Sequence, residues 1–217
     1  MINGFHSTKV LALTPTGEIV FANELAAAVF VDESPESVVG KSLLDLSPQS
    51  WAEERIQFLK LAIEKEHPIL VTEILVGTRF CSTVSPIKVD DQGKSDWMLL
   101  VTVEQITPTE LQRLRDRCTP DQLFNVKVHD LGRLSILSPR ELEVLALMGQ
   151  GLRQKQIAER LHRSVSTIDR HRERIGEKLN IADRVELVGL AREAALETTD
   201  AHRLNAPFES KHTSTES

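Results

Sequence analysis

The sequence predicts an α+β protein built from two unlike parts. Up to about residue 106, short apolar runs alternate with polar residues and break at Pro, Gly and Asp, as an antiparallel sheet with flanking helices requires. Beyond residue 137 the apolar period lengthens to 3.6, in four short helical patterns separated by turn signals. The third observation is size: 217 residues with 41% apolar content are enough for one large or two small cores. Leu, Val and Ile must fill those cores, because aromatics are 4% and tyrosine is absent.

The elements follow in order. Runs at 9–14 and 18–22 read as strands joined by the Pro15-Thr16-Gly17 turn. An alanine-rich stretch at 23–30 reads as a short helix. Ser34-Pro-Glu and Ser47-Pro-Gln are helix starts. Residues 51–66 form a longer helical pattern with Ile56, Leu59 and Ile63 in line. Three strand patterns follow at 69–76, 79–88 and 97–104, with turns at Gly77 and at 90–93.

Two strands, several small helices and three strands resemble a PAS domain. Residues 16–23 (TGEIVFAN) look like that family's opening hairpin and the Asn that starts its first helix. Residues 39–46 (VGKSLLDL) look like its Gly-containing turn and following helix. Glu104-Gln105-Ile106-Thr107 stands where its closing Asp-Ile-Thr falls, with Glu-Gln in place of Asp. The resemblance implies a PAS-like sensor over residues 1–106. A helical connector is expected at 107–136, opened by the Thr107-Pro-Thr-Glu110 capping box. Its Leu111 and Leu114 should face inward, and Arg113, Arg115 and Arg117 outward. Thr119-Pro-Asp-Gln122 reads as a further turn of helix. Residues 197–217 are poor in apolar groups and are expected to be a disordered tail.

Residues 137–196 carry the most specific signal. Ser138-Pro-Arg-Glu141 is a capping box with proline at the first helical position. Leu142, Val144, Leu145, Leu147 and Met148 form its apolar stripe, and Gly151 ends the helix. A second helix spans 154–161 with Ile157, Ala158 and Leu161 inward. Ser164 is the expected N-cap of a third, whose apolar side is Val165, Ile168, Ile175 and Leu179. Asp183-Arg-Val-Glu186 opens a fourth as another capping box. Ala158, His162 and Ile168 have the small, turn and apolar spacing of a helix-turn-helix, whose second helix enters a DNA major groove.

From Leu152 to Lys178 there are eight Lys/Arg against four acids, in a chain of net charge −6. A basic face on an acidic protein suits phosphate contact confined to one module. The ordered set Leu137, Pro139, Arg140, Glu141, Gly151, Ile157, Ala158, Leu161, Ser164, Thr167, Ile168, His171, Ile175, Lys178, Leu179, Arg184 and Glu186 resembles the LuxR-type (GerE-type) DNA-binding domain. That resemblance covers about a quarter of the chain.

It implies double-stranded DNA as partner, with Asp169, Arg170 and Glu173 at base-facing positions. Arginine can fork onto guanine O6 and N7, and acids can accept from cytosine N4. Asp169 and Glu173 can instead pair with Arg172, Arg174 and Lys178 along the helix. Arg163, Thr167, His171, Arg174 and Lys178 are the phosphate candidates. His162 stands where glycine is frequent in the family, either as an exposed turn residue or strained at positive φ by of order 1 kcal/mol. Leu187, Leu190 and Ala191 of the fourth helix are expected to pair two copies into a homodimer.

Other classes find little support. There is no Walker loop, nucleophile elbow, kinase motif or metal-ligand spacing, so no enzyme is expected. Receiver domains need an acidic pair after the first strand, and acyl-homoserine-lactone sensors a Trp and Tyr set; both are missing. No cofactor is expected. His67 stands before Pro68 at a helix end, a poor haem setting, and Cys81 lies in Arg-Phe-Cys-Ser rather than a flavin-adduct motif. Cys81 and Cys118 make neither a disulfide framework nor a zinc cluster, and no apolar run approaches the ~20 residues of a membrane span. The expectation is a cytoplasmic transcription regulator whose sensor meets an upstream signalling protein or a small apolar ligand, in an interior lined by Leu, Val and Ile. The alternative is a PAS-mediated interaction adaptor with weak or non-specific DNA binding.

Overall fold

In the computed structural model, which describes residues 8–30, 34–91 and 94–207, a sheet grows outward from the first hairpin. β1 (Lys9–Leu13) and β2 (Ile19–Ala22) are joined at Gly17, whose φ of 88° explains the glycine. Asn23 then secures the exit. Its Oδ1 accepts from the amides of Ala26 (2.9 Å) and Val10 (3.1 Å), and its Nδ2 donates to Thr8 O (2.9 Å), so one side chain caps a helix and ties it to β1.

Four helices follow: α1 (Glu24–Ala27), α2 (Pro35–Val38), α3 (Leu43–Leu46) and α4 (Gln49–Lys65). α4 buries Trp51, Ala52, Ile56, Leu59 and Ala62, while Ile63 is half-buried at the margin. β3 (Ile69–Leu75), β4 (Thr78–Asp91) and β5 (Lys94–Gln105) complete an antiparallel order β2-β1-β5-β4-β3. Val76, expected in the strand, joins Gly77 at positive φ in a two-residue hairpin turn. The β4–β5 pairing runs past the expected ends, as far as Asp91 opposite Lys94; positions 92 and 93 of the expected turn lie outside the described residues. The antiparallel part follows the element order expected of a PAS-like domain.

The inner face of the sheet packs on α1–α4, but its interior is not wholly apolar. Glu73 on β3 is buried and binds Arg55 Nη2 at 2.5 Å, Trp51 Nε1 at 3.2 Å and Ser82 Oγ at 3.4 Å. A cavity of about 40 Å³ adjoins them, walled by Leu13, Leu43, Phe58, Leu59, Val71, Val84 and Val101 together with Arg55 and Ser82. The expected Leu/Val/Ile lining is thus corrected by an ion pair. Such a pair tolerates burial because each charge finds several partners.

The connector departs from expectation. α5 (Pro108–Arg117) has its capping box and buries Leu111 over Cys81 and Ile106. Residues 119–122 form a turn rather than a helix, and β6 (Leu123–Asn125) adds a parallel sixth strand to β3. β7 (Val128–His129) and a 3-10 turn (Gly132–Ile136) lead into the second half. There α6 (Pro139–Gly149), α7 (Gln154–Arg160), α8 (Val165–Leu179) and α9 (Arg184–Glu193) enclose a separate core. Ile74 of β3 belongs to that second core, so the outer sheet face and the helical half share it.

The tail expectation is also corrected. A 3-10 turn (Thr198–His202) and β8 (Leu204–Asn205) fold back, and β8 pairs in parallel with β7. Asp200 and Ala201 are buried there. Local hydrophobicity is low in this stretch; order comes from partners distant in sequence. The expectation for 208–217 lies outside the described residues.

Gly176 of α8 permits the tight return of the chain after the helix. Its carbonyl accepts from Ile181 N at 2.8 Å, and a Cβ there would stand 2.6 Å from Ile181 O. Backbone must move to relieve that clash. Gly176→Ala is therefore expected to cost about 1–3 kcal/mol, read as a lower urea midpoint at unchanged slope; an unchanged midpoint contradicts the packing.

Candidate nucleic-acid interface

The helical half is assembled by its caps. Ser138 Oγ accepts from Glu141 N, and Glu141 Oε2 accepts from Ser138 N at 2.8 Å. Gly151, at φ 85°, turns the chain toward α7. Ile157 and Ala158 of α7 are buried, and Arg163 N donates to Ala158 O at 2.9 Å across the turn. His162 holds φ 51° there and is exposed, so both expectations for it hold together: an exposed turn residue in a conformation that glycine adopts more cheaply.

Ser164 caps α8, accepting from Thr167 N at 3.2 Å. Ile168, Ile175 and Leu179 fix the helix on the core. Val165, expected on that apolar side, is exposed. The opposite face presents Ser166, Arg170, Glu173, Arg174 and Glu177 to solvent. These positions recur at helical spacing and point away from α6 and α7.

The expected site residues are not all presented alike. Arg170 and Glu173 lie on the outward face, and neither forms an ion pair among the described residues. Arg163, in the turn, and Arg174 flank them and are exposed. Asp169 is drawn aside: its Oδ1 accepts from Gln154 Nε2 of α7 and lies 3.9 Å from Arg172 Nε. Thr167 Oγ1 shares a 2.8 Å hydrogen bond with Ser164 Oγ beside the helix N-terminus. His171 is half-buried; burial first, then Arg140, holds its imidazole below the ordinary pKa, so it is neutral at pH 7. Lys178 bends toward α6 at the surface, bonding Glu141 Oε2 at 2.7 Å and Ile136 O at 3.3 Å with 40% of its side chain still exposed.

The dimer candidates are corrected in part. Leu187 and Ala191 are 1% exposed inside the domain's own core, and Leu190 is half-buried. A Cβ on Gly149 would meet Ala191 Cβ at 2.7 Å, so α9 seats closely on α6 only because position 149 carries no side chain. Val185 is 75% exposed and stands on the free side of α9. Asp183 accepts from Val185 N as a simple cap. A three-residue stripe does not reveal which of its members a neighbouring helix covers.

Three residues were missed. Gln154 orients Asp169. Arg140 links α6 to the turn, with Nη1 on Glu143 at 2.5 Å and Nη2 on Leu161 O at 3.1 Å. His202, from the supposed tail, donates from Nε2 to Glu143 Oε1 at 3.0 Å. Together with Pro139, Arg163 and His171, Arg140, Glu143 and His202 line a shallow basic concavity of about 420 Å³ beside α8. The Arg140 position was legible from its place in the capping box; nothing local marked His202.

Elsewhere, Cys81 is buried, and burial first, then Cys118, Glu104 and Glu73, push its thiol up to about 12, so it is an inert packing residue. His67 Nδ1 donates to Pro68 O at 3.0 Å. No cluster of three or more His, Cys, Asp or Glu suited to a metal occurs among the described residues. None of the described helices is long and apolar enough to cross a membrane.

Glu141 is the electrostatic keystone of this half. Burial raises its pKa, but hydrogen bonds from Lys178 and from the Ser138 amide and hydroxyl outweigh it and hold the carboxyl below the ordinary glutamate value. A depressed carboxylate stabilises the fold above its unfolded pKa of about 4.3 and loses that contribution as pH falls through the folded value. Glu141→Gln is expected to destabilise the protein at pH 7, with the gap to wild type closing on acidification below about pH 4. Urea unfolding at both pH values checks this; a gap independent of pH contradicts it.

With the geometry established, comparison with known proteins places this half. Residues 135–191 match the family "GerE: Bacterial regulatory proteins, luxR family". The oxygen regulatory protein NreC of Staphylococcus carnosus is 48% identical over 56 residues, 26% of each chain. The putative positive transcription regulator BvgA of Bordetella pertussis is 42% identical over 59 residues, 27% of this chain and 28% of its own. The chain thus spans about a quarter of the length of these relatives. One solved structure extends further: the Vibrio cholera VqmA–ligand–DNA complex, 19% identical, covers 93% of this chain and 90% of its own with a TM-score of 0.50. At that identity the likeness concerns the fold, and it takes in both halves. Residues 135–191 are a helix-turn-helix domain of the luxR family, carried behind a domain whose six-stranded sheet has the order β2-β1-β5-β4-β3-β6.

Proposed function

We propose that the protein is a DNA-binding transcription regulator in which the PAS-like half controls the helix-turn-helix half. The observation that carries this is the outward face of α8, where Arg170 and Glu173 are exposed between Arg163 and Arg174. Charged groups held so openly on a short, well-capped helix are available to a groove edge. The proposed steps follow from chemistry. Arg163 and Arg174 meet phosphates first and release counterions. The α8 N-terminus, with Thr167 and Ser164, accepts a further phosphate. Arg170 then forks onto guanine, and Glu173 accepts from cytosine N4. His171 acts through its hydrogen-bonding capacity, since it is neutral. Lys178 reaches a phosphate only by leaving Glu141, and Asp169 reaches a base only by leaving Gln154.

The likeness to a regulator solved with ligand and DNA supports a sensing role for the N-terminal half. A cavity of about 40 Å³ has room for a few waters at most. A small ligand would have to displace the Phe58 and Leu59 walls and engage Arg55 or Ser82. An upstream protein partner is favoured by exposed Val20, Phe21, Leu25 and Val39 near the β2 edge. That surface is also what the adaptor reading would use.

The full-length protein is expected to bind duplex DNA with affinity falling steeply as salt rises. Arg170→Ala should lose about 1–3 kcal/mol on the preferred site and relax selectivity there, whereas Arg163→Ala should weaken all sequences alike and lower the salt slope by about 1. Binding-site selection followed by titration at several salt concentrations separates these outcomes; salt-independent binding overturns the reading. Two copies are expected on a two-fold related site. They should meet through the free side of α9, so Val185→Glu, alone or with Leu190→Glu, leaves one copy per operator by light scattering. A single wild-type copy per operator contradicts the arrangement.

A further inference from the structure

Residues 197–206 join the two halves through a contact of unusual chemistry. Arg79 of β4 and Asp200 form an ion pair with no exposed side-chain surface on either partner. Arg79 Nη2 also donates to Ala195 O at 3.2 Å, just beyond α9. Asp200 Oδ1 lies 3.4 Å from Arg203 Nη1 and 3.7 Å from His129 Nε2. Nearby, Glu197 forms a two-pronged ion pair with Arg115 of α5. Backbone completes the attachment: Leu204 N donates to Lys127 O at 2.9 Å and Ala206 N to His129 O at 2.7 Å. Ala201 packs in the helical core and Ala206 against the sheet core, so the segment belongs to both.

Several features mark this contact as one that can separate. Arg79 Nε and Nη1 are buried without a hydrogen-bond partner among the described residues, as is Asp200 Oδ1. Opening would expose all three atoms to solvent hydrogen bonding, which offsets part of the cost of separating the pair. His129 is similarly ill-matched. Its Nδ1 accepts from Ile74 N at 2.9 Å, so in the neutral ring Nε2 carries the proton. That N–H faces the Arg203 guanidinium at 2.7 Å, donor against donor. The seam thus combines apolar contacts at Ile74, Ala201 and Ala206 with a charged centre whose polar groups are imperfectly matched.

The seam is also wired to the sheet interior. Arg55, which walls the cavity, donates to Val128 O of β7 at 3.2 Å, and β7 is the strand that β8 pairs with. A change in Arg55 therefore acts directly on the strand that holds the segment.

We propose that residues 197–206 are a detachable strap, and that separation of Asp200 from Arg79 frees the helix-turn-helix half to reorient on the sheet. The regulatory consequence rests on the DNA-binding reading above; the strap itself does not. The test uses full-length protein and two variants. Asp200→Asn keeps the shape and removes the charge. Arg79→Met with Asp200→Leu replaces the pair by apolar groups of similar volume, a change that commonly tightens such contacts.

Hydrogen exchange at the Leu204 and Ala206 amides should quicken at least about 10-fold in Asp200→Asn, with β4 and β5 unaffected, and slow in the double variant. Duplex affinity should differ between the two variants by at least about 5-fold. Unchanged exchange in both variants overturns the strap. If Asp200→Asn unfolds globally, the double variant decides: slowed exchange supports the strap, unchanged or faster exchange overturns it. Altered exchange with equal affinities overturns the regulatory role. If no variant binds duplex, the DNA-binding reading fails, and exchange alone still judges the strap.

Discussion

Arg79 and Asp200, each with no side-chain surface in water, set the relation between the two halves. Two buried charges are costly to desolvate and are tolerated only while they face each other. Their pairing requires the chain to leave α9, return across the outer sheet face and end beside β7. The parallel β7–β8 ladder, the Glu197–Arg115 pair and the burial of Ala201 all follow from that path. The outer faces of β3 and β4 are thereby covered: Ile74 enters the helical core, while Cys81 lies under α5. β3 is buried on both faces, which is uncommon for an antiparallel strand.

The electrostatics of α8 follow from its neighbours as much as from its composition. The helix carries acids and bases in nearly alternating order, yet the fold sorts them. Asp169 is taken by Gln154, and Lys178 by Glu141. What remains facing solvent is a short row centred on Arg170 and Glu173, with Arg163 and Arg174 at its margins. A net negative chain thus presents a local rim of three exposed arginines, Arg163, Arg170 and Arg174, against Glu173 and Glu177. The concavity containing Arg140, Arg163 and His171 extends that rim, and His202 brings the strap to its edge. The strap therefore touches both the sheet and the flank of the proposed DNA face.

The helical half was almost wholly legible because its determinants are local. A capping box, a helix stop and a 3.6 period each act within one or two turns, so Ser138, Gly151 and Ser164 locate the helices wherever the domain sits. The hairpin of β1 and β2 and the role of Asn23 were legible for the same reason. Burial around α9 was not. Leu187, Leu190 and Ala191 look alike on one stripe, and only the packing of α9 on α6, closest where Ala191 meets Gly149, decides that Leu187 and Ala191 belong to the core.

By itself, the sequence determined the fold class, the helix-turn-helix, its turn at His162 and the basic character of that segment. All of these depend on contacts within about ten residues. Tertiary structure alone decided the ion pair inside the sheet domain, the parallel strands β6 and β8, the bend of Lys178 toward α6 and the ordering of residues 197–206. Nothing local to Glu73, Arg55, Arg79 or Asp200 marks them as buried ion-pair partners until the chain brings each pair together. Their partners lie 18 and 121 residues away. The low hydrophobicity of 197–206 correctly reports that this stretch has no core of its own, and it is ordered by charges and backbone groups supplied from the other half.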